Sequence, residues 1–345
     1  MNSYERVMAA IRGEPLDHVP VMPAVRDWCI RQSGFTFRDV LESPEKYVFS
    51  QYYCAKEFKY DAVYDLFAIH GESEALGSKL LIADDMPPSI IEPIVQDYSK
   101  DLPRIRVPNP YKDGRLPQLL AIISRLKELC EGRIPVLGYC QAPFRHAAML
   151  RGLEKVLRDT KKEPEHLKQL LEISLVGLIH WGIAVAEAGA DIIAISDPTV
   201  SRDVMSKDTW VEFGFPFLKR LVDALKKTGK PLKLHVCGDT TDRLDTFVQA
   251  GFDILSLDTK VDFGVARDEV GDSVCLMGNV CPNTTLLFGT PKDVEDDSKR
   301  VIHQAGVRGK FILSSGCILS PDTPADNIHA MVNTAKTYGS YPISN

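Results

Sequence analysis

Two short stretches of the chain carry the residue types best able to do chemistry. In LHVCGDT at 234–240, His235 and Cys237 stand two positions apart, and SSGC at 314–317 ends on Cys317. Both stretches close apolar runs that read as strands. Residues i and i+2 of a strand point to the same side, so His235 and Cys237 share a face. One imidazole and two thiolates form a favourable donor set for Zn²⁺, and three protein ligands leave a fourth position open. An open position separates a catalytic site from a structural one. The competing reading is a hydrogen-bonded core histidine beside ordinary buried cysteines. Gly238 and Gly316 flank the candidate ligands, where close backbone approach or a positive φ would call for glycine.

Bringing residues so distant in sequence together requires a fold in which strand ends converge. Short apolar, β-branched runs recur at 19–25, 62–67, 134–140, 191–197, 231–237, 253–258, 274–280 and 310–317. Their continuity suits strands buried on both faces of a parallel sheet. Helical periodicity fills the gaps, most clearly at 168–187, 209–228, 244–250 and 294–304, with Gly251 and Gly306 as stops. Eight such units predict a TIM (β/α)8 barrel, in which every strand's C-terminal end opens on one catalytic face. An open doubly wound sheet is the alternative, but no glycine-rich dinucleotide fingerprint follows the first run. The polar, proline-containing stretch 77–133 reads as an insertion after the second strand, decorating the catalytic face of a single 1–345 domain.

Further polar residues end strands on that same face. Asp197, Asp258 and Asn279 close the fourth, sixth and seventh runs, Glu72 follows the second and Gln141 the third. Asp197, Asp258, Glu72 and Asn279 are the catalytic candidates, although Asp197 before Pro198 also reads as a helix cap. Cys281 reads as a reactive or metal-binding thiol or, more blandly, as a small half-buried residue. Cys275, His303 and His329 read as packing or capping residues, and EDDSKR at 295–300 as a solvated helix face.

Composition narrows the classes. The 345 residues are 44% hydrophobic and 26% charged, which supports a sizeable core and excludes wholesale disorder. With 41 Lys+Arg against 47 Asp+Glu the net charge is −6, and no basic stripe marks a nucleic-acid partner. No uninterrupted apolar run approaches the roughly 20 residues of a membrane span. The opening MNSYERVMAAIRGEP lacks the apolar core of a secretory signal. The eight cysteines are scattered rather than clustered as a disulfide framework, so reduced thiols in the cytoplasm are expected.

Several blocks, in order, resemble the uroporphyrinogen decarboxylase superfamily, and within it the zinc- and corrinoid-dependent methyltransferase branch. They are ERVMAAIRGEPLDHVPV, GESEALGSKL, AGADIIAISDP, HVCGDT, MGNVCPNTTLLFGTPKDV and FILSSGCILSPDTPADNIHAM, which together cover nearly the whole length. The resemblance implies a TIM barrel whose zinc ligands are His235, Cys237 and Cys317. Cobalamin-independent methionine synthase is similar more distantly, and its added carboxylate ligand has a counterpart in Asp258. The decarboxylase branch carries an RQAGR signature after the first strand. Here the region reads VRDWCIRQSGF, with Arg31, Gln32 and Ser33 as a partial echo. Where the family commonly has an aspartate, this chain has Cys281.

The activity this implies is methyl transfer between a corrinoid and a small-molecule thiol or methyl donor, in either direction. No DxHxxG-like cobalamin segment is present in the sequence, so the corrinoid is expected on a separate corrinoid protein. The alternatives are a metal-free tetrapyrrole decarboxylase, a zinc hydrolase, and a non-catalytic sensor of a corrinoid or thiol.

Overall fold

A computed structural model describes residues 1–65, 70–84 and 86–343 of the chain. Seven parallel strands form one curled sheet. They are β1 (Val63–Tyr64), β4 (Val136–Gln141), β5 (Ile192–Ser196), β6 (Leu232–Val236), β7 (Ile254–Leu257), β8 (Cys275–Val280) and β9 (Phe311–Ser315), hydrogen-bonded in that order. Two further strands, β2 (Lys79–Leu81) and β3 (Ser89–Glu92), make a separate antiparallel hairpin. Helices separate the parallel strands, giving the TIM-barrel-like α/β fold that the alternating pattern predicts.

The first expected strand differs from that expectation. Residues 19–25 form no regular strand, because Pro20 and Pro23 lack the N–H groups that a ladder needs. The segment still closes the curl. Val21 makes a parallel bridge to Leu313 of β9, and Met22 N–H donates to the Leu313 carbonyl at 2.9 Å. On the other side Asp61 N–H donates to the Val21 carbonyl at 2.7 Å, while the Asp61 carboxylate accepts the Val21 N–H at 2.8 Å. The second strand is regular only at Val63–Tyr64, and Leu66 and Phe67 of the expected run lie outside the described residues.

The outer layer follows apolar periodicity. Helix Pro164–Glu187 buries Leu167, Leu170, Leu171, Leu175, Leu178, Trp181 and Val185, each worth roughly 1.5–3 kcal/mol on full burial. Its first residue is a proline, whose missing N–H has no partner to lose in a first helical turn. This helix is long and apolar enough to cross a membrane, but here it packs on the barrel against β4 and β5. Gly138 of β4 permits that approach, since a Cβ there would lie 2.2 Å from Val185 Cγ1. One of the other expected helices starts at a stronger signal than apolar periodicity alone marks. Pro291–Val301 opens on a Thr290–Asp293 capping box.

The stretch 77–133 divides in two. Its polar first part carries the hairpin, with Leu81 and Ile91 exposed. Its last part, helix Leu116–Cys130, buries Leu119, Ile123 and Leu126 and packs against β4 as one of the barrel's outer helices.

Candidate metal centre

Alternation along β6 turns Lys233 and His235 into the barrel, and Cys237 follows directly after the strand. The His235 ring is oriented from behind. Its Nδ1 lies 3.1 Å from the Ser256 carbonyl and 3.2 Å from Ser256 Oγ. A carbonyl only accepts, so Nδ1 carries the proton and the Nε2 lone pair faces the opposite way. Nε2 stands 3.3 Å from Cys237 Sγ and 3.7 Å from Cys317 Sγ, and the two sulfurs are 3.4 Å apart. Bond lengths for tetrahedral zinc give ligand-to-ligand edges of about 3.5–3.8 Å, so the three atoms fit one ion with little adjustment.

Electrostatics agrees with the donor set. Cys317 is pulled down to about 4, chiefly by the hydrogen bond from Cys237, with His235 assisting and burial opposing. Cys237 is pushed up by its contact with Cys317 and by burial. Two thiols at this separation do not both ionise readily without a cation between them. Backbone geometry explains the flanking glycines separately. Gly238 has φ +91°, a left-handed value, and a Cβ there would meet Asp203 Oδ2 at 2.4 Å. At Gly316 the constraint is close approach, since a Cβ would lie 2.9 Å from the Thr259 backbone nitrogen.

The other candidates surround this trio without joining it. Among the described residues no carboxylate groups with the three ligand atoms within 4.8 Å. Asp258 accepts the Gly238 N–H at 3.0 Å and the Lys260 N–H at 3.1 Å, so it braces the loop that carries Cys237. Asn279 donates to the carbonyls of Asp258 at 3.1 Å and Val261 at 2.9 Å, fixing the next loop. Asp197 is buried and raised to about 6 by desolvation. Its carboxylate accepts from Thr199, and its N–H reaches the His235 carbonyl at 2.9 Å. Glu72, fully enclosed and pushed up by burial, accepts from Gln141 Nε2 at 3.2 Å. Cys281 stands apart from the trio. Burial works against its ionisation, but the Thr284 hydroxyl and the N–H groups of residues 283–285 lower it overall.

A cavity opens beside His235 and Cys317, with about 590 Å³ of atom-free space when its open mouth is counted. Its wall includes Tyr64, Tyr139, Arg26, Arg145 and Lys233, none of them among the site residues picked from sequence. Arg26 pairs with buried Asp27 at 2.8 Å. Arg145 donates to Ser196 Oγ at 2.7 Å and lies 5.8 Å from the Tyr139 ring centroid, while its Nε has no partner among the described residues. Arg31, the echo of a decarboxylase signature, is instead 55% exposed and only 3.7 Å from solvent-facing Asp322. The usable signal lay in alternation back from His235 to Lys233, and in the turn before Arg31.

A TIM-barrel-like chain with imidazole and two thiols converging on its catalytic face narrows the class considerably, and comparison with known proteins completes it. A profile of the uroporphyrinogen decarboxylase family matches residues 2–338, and the chain belongs to that family. A methylcobamide:CoM methyltransferase of Methanosarcina mazei is 31% identical over 339 residues, covering 97% of each chain. A uroporphyrinogen decarboxylase of Geobacter metallireducens is 27% identical over 345 residues, covering 95% of this chain and 96% of that one. A solved methyltransferase from Methanosarcina mazei superposes with a TM-score of 0.88 at 26% identity, covering 97% and 98% of the two chains.

Proposed function

We propose that the chain is a zinc-dependent methyltransferase that moves a methyl group between a corrinoid and a small thiol. The observation that carries this reading is the spacing of 3.3, 3.4 and 3.7 Å among His235 Nε2, Cys237 Sγ and Cys317 Sγ, at the edge of the cavity that His235 and Cys317 line. The names of the two Methanosarcina mazei relatives, both methyltransferases, support it. His235, Cys237 and Cys317 would hold the zinc, which would supply a fourth position favouring the deprotonated form of a thiol, a form that a free thiol of pKa ~8.5 largely resists at neutral pH.

The chain's own residues orient and enclose. Ser256 holds the His235 ring, Asp258 braces the Cys237 loop, and Asn279 ties down the loop after β7. Tyr64 and Tyr139 line the cavity. Arg26 and Arg145 on the same wall suit an anionic group on the thiol's tail. In the forward direction the sulfur lone pair forms the new C–S bond. A methylated corrinoid would supply that methyl group and keep the electron pair of the broken Co–C bond, so the product would be a thioether. The corrinoid arrives on a partner protein, for which Ile318 at the mouth and the 80% exposed Phe288 after β8 offer apolar contact. The cysteines of the described chain are all free, which suits a reducing cytoplasm.

Metal analysis of wild type beside Cys237→Ala and Cys317→Ala tests the site, followed by the absorbance change of methylcobalamin on adding thiol. One zinc per chain and thiol-dependent demethylation in wild type, both lost in the variants, is the expected result. A wild-type chain that takes up no zinc would favour a metal-free decarboxylase instead, and full demethylation by the variants would exclude this centre.

A further inference from the structure

The cavity holds a cation that neither the metal set nor the substrate wall accounts for. Lys233 precedes His235 by two residues on β6 and shares its inward face, about 6.5 Å further from the mouth along the strand. Its side chain is only 8% exposed. Arg26 on the same wall has Asp27, whereas no carboxylate or other hydrogen-bond partner reaches the Lys233 ammonium among the described residues. Burial pulls the Lys233 ammonium down to about 8, and the charges that oppose this are those of the Cys317 and Cys237 sulfurs lining the same barrel mouth. Once an ion neutralises those sulfurs, an enclosed ammonium with no hydrogen-bonded carboxylate is unfavourable, so its place in the barrel calls for an anion that arrives during function.

Counting charge identifies that anion. Two cysteine thiolates balance a divalent ion and the imidazole is neutral, so the loaded trio has no net charge. A thiol that binds there releases its proton to solvent, with no change of oxidation state, and brings one negative charge. Transfer of the methyl group to that sulfur removes the charge again. We infer that Lys233 is the counter-ion of the substrate sulfur, holding the thiolate in preference to the thioether. The inference rests on the thiol-activating reading above and deepens it. It makes Lys233 a positioning residue that helps admit substrate and loosens its hold on product.

The test compares a thiol with its methylated form, 2-mercaptoethanol with 2-(methylthio)ethanol, neither of which has a charged tail. Calorimetric titration of the zinc-loaded protein gives both affinities, and repeating it in two buffers of different ionisation enthalpy counts the protons released. Wild type should release about one proton per thiol bound. Lys233→Met, a replacement of similar length, should weaken thiol binding about ten-fold, leave thioether binding unchanged and retain its zinc. Lys233→Arg should restore most of the thiol affinity. Equal weakening toward thiol and thioether would mean a packing role and would overturn the inference. So would unchanged affinity for both, or a loss confined to 2-mercaptoethanesulfonate, which would assign Lys233 to the tail. Absence of proton release in wild type is a different failure, because it would remove the thiol-activating reading itself.

Discussion

The two sides of the barrel mouth hold their polar groups in opposite ways. On the side of β6 and β9, His235, Cys237 and Cys317 are half-buried, and their ligand atoms face mainly one another. On the side of β1, β4 and β5, Asp65, Glu72 and Asp197 are buried, pushed up by desolvation and engaged by neighbours. Asp65, for instance, accepts the Tyr139 N–H at 2.6 Å. Soft donors left available on one side and hard oxygens enclosed on the other favour zinc over a carboxylate-seeking cation. The carboxylates serve the backbone, and the sulfurs are free to serve an ion.

The contrast is broken most directly by exchanging the roles of its two sides. Cys237→Ser is expected to lower zinc affinity more than about a hundred-fold, whereas Glu72→Gln should leave it unchanged, as read by competition with a chelating dye. Loss of zinc from the Glu72 variant would erase the distinction.

Asp197 sharpens it next. Burial raises this carboxyl from its ordinary 3.8 to about 6. Between those values the folded chain keeps a proton that the unfolded chain has released. The contribution of Asp197 to stability is therefore fully present below about pH 4 and falls by up to about 3 kcal/mol as pH rises to 6. Asp197→Asn should flatten that part of the profile in urea melts from pH 4 to 7, and an unchanged slope would show that the carboxyl titrates normally.

Smaller effects probe the frame around the ligands. Gly238→Ala, at φ +91° and against Asp203, should destabilise the chain by about 1–3 kcal/mol and loosen zinc, by thermal melting with and without metal. Ser256→Ala leaves the carbonyl partner of His235 Nδ1 in place and removes only the hydroxyl. A loss of zinc affinity of about ten-fold or less is expected, and no change would assign the ring's orientation to the carbonyl alone.

How far this arrangement was legible in the sequence varies with the element. The strands carrying Cys140, His235 and Ser314 stand out as continuous apolar runs, and their register needs no partner to be inferred. The run at 19–25 looks equally apolar, yet its two prolines limit it to one bridge with β9 and the bonds around Asp61. Lys233 sat in full view within PLKLHVC but reads as an ordinary basic residue until its strand is known to face a cavity. Arg26 and Arg31 are neighbours in sequence with opposite fates, because helix Arg26–Gln32 turns one toward the barrel and the other toward solvent.

What the sequence determined by itself is the period of the βα pattern, the strand-end location of the polar residues, and the identity of three zinc-type donors. Those follow from local chemistry and from the two-residue repeat of a strand. Closure of the curl decided the remainder: that Cys317 lies within 3.4 Å of Cys237, that Asp258 faces a loop rather than the His235–Cys237–Cys317 trio, and that no carboxylate among the described residues bonds Lys233. Distances between residues far apart in the chain depend on how strands pack around a common axis, and no local pattern encodes them.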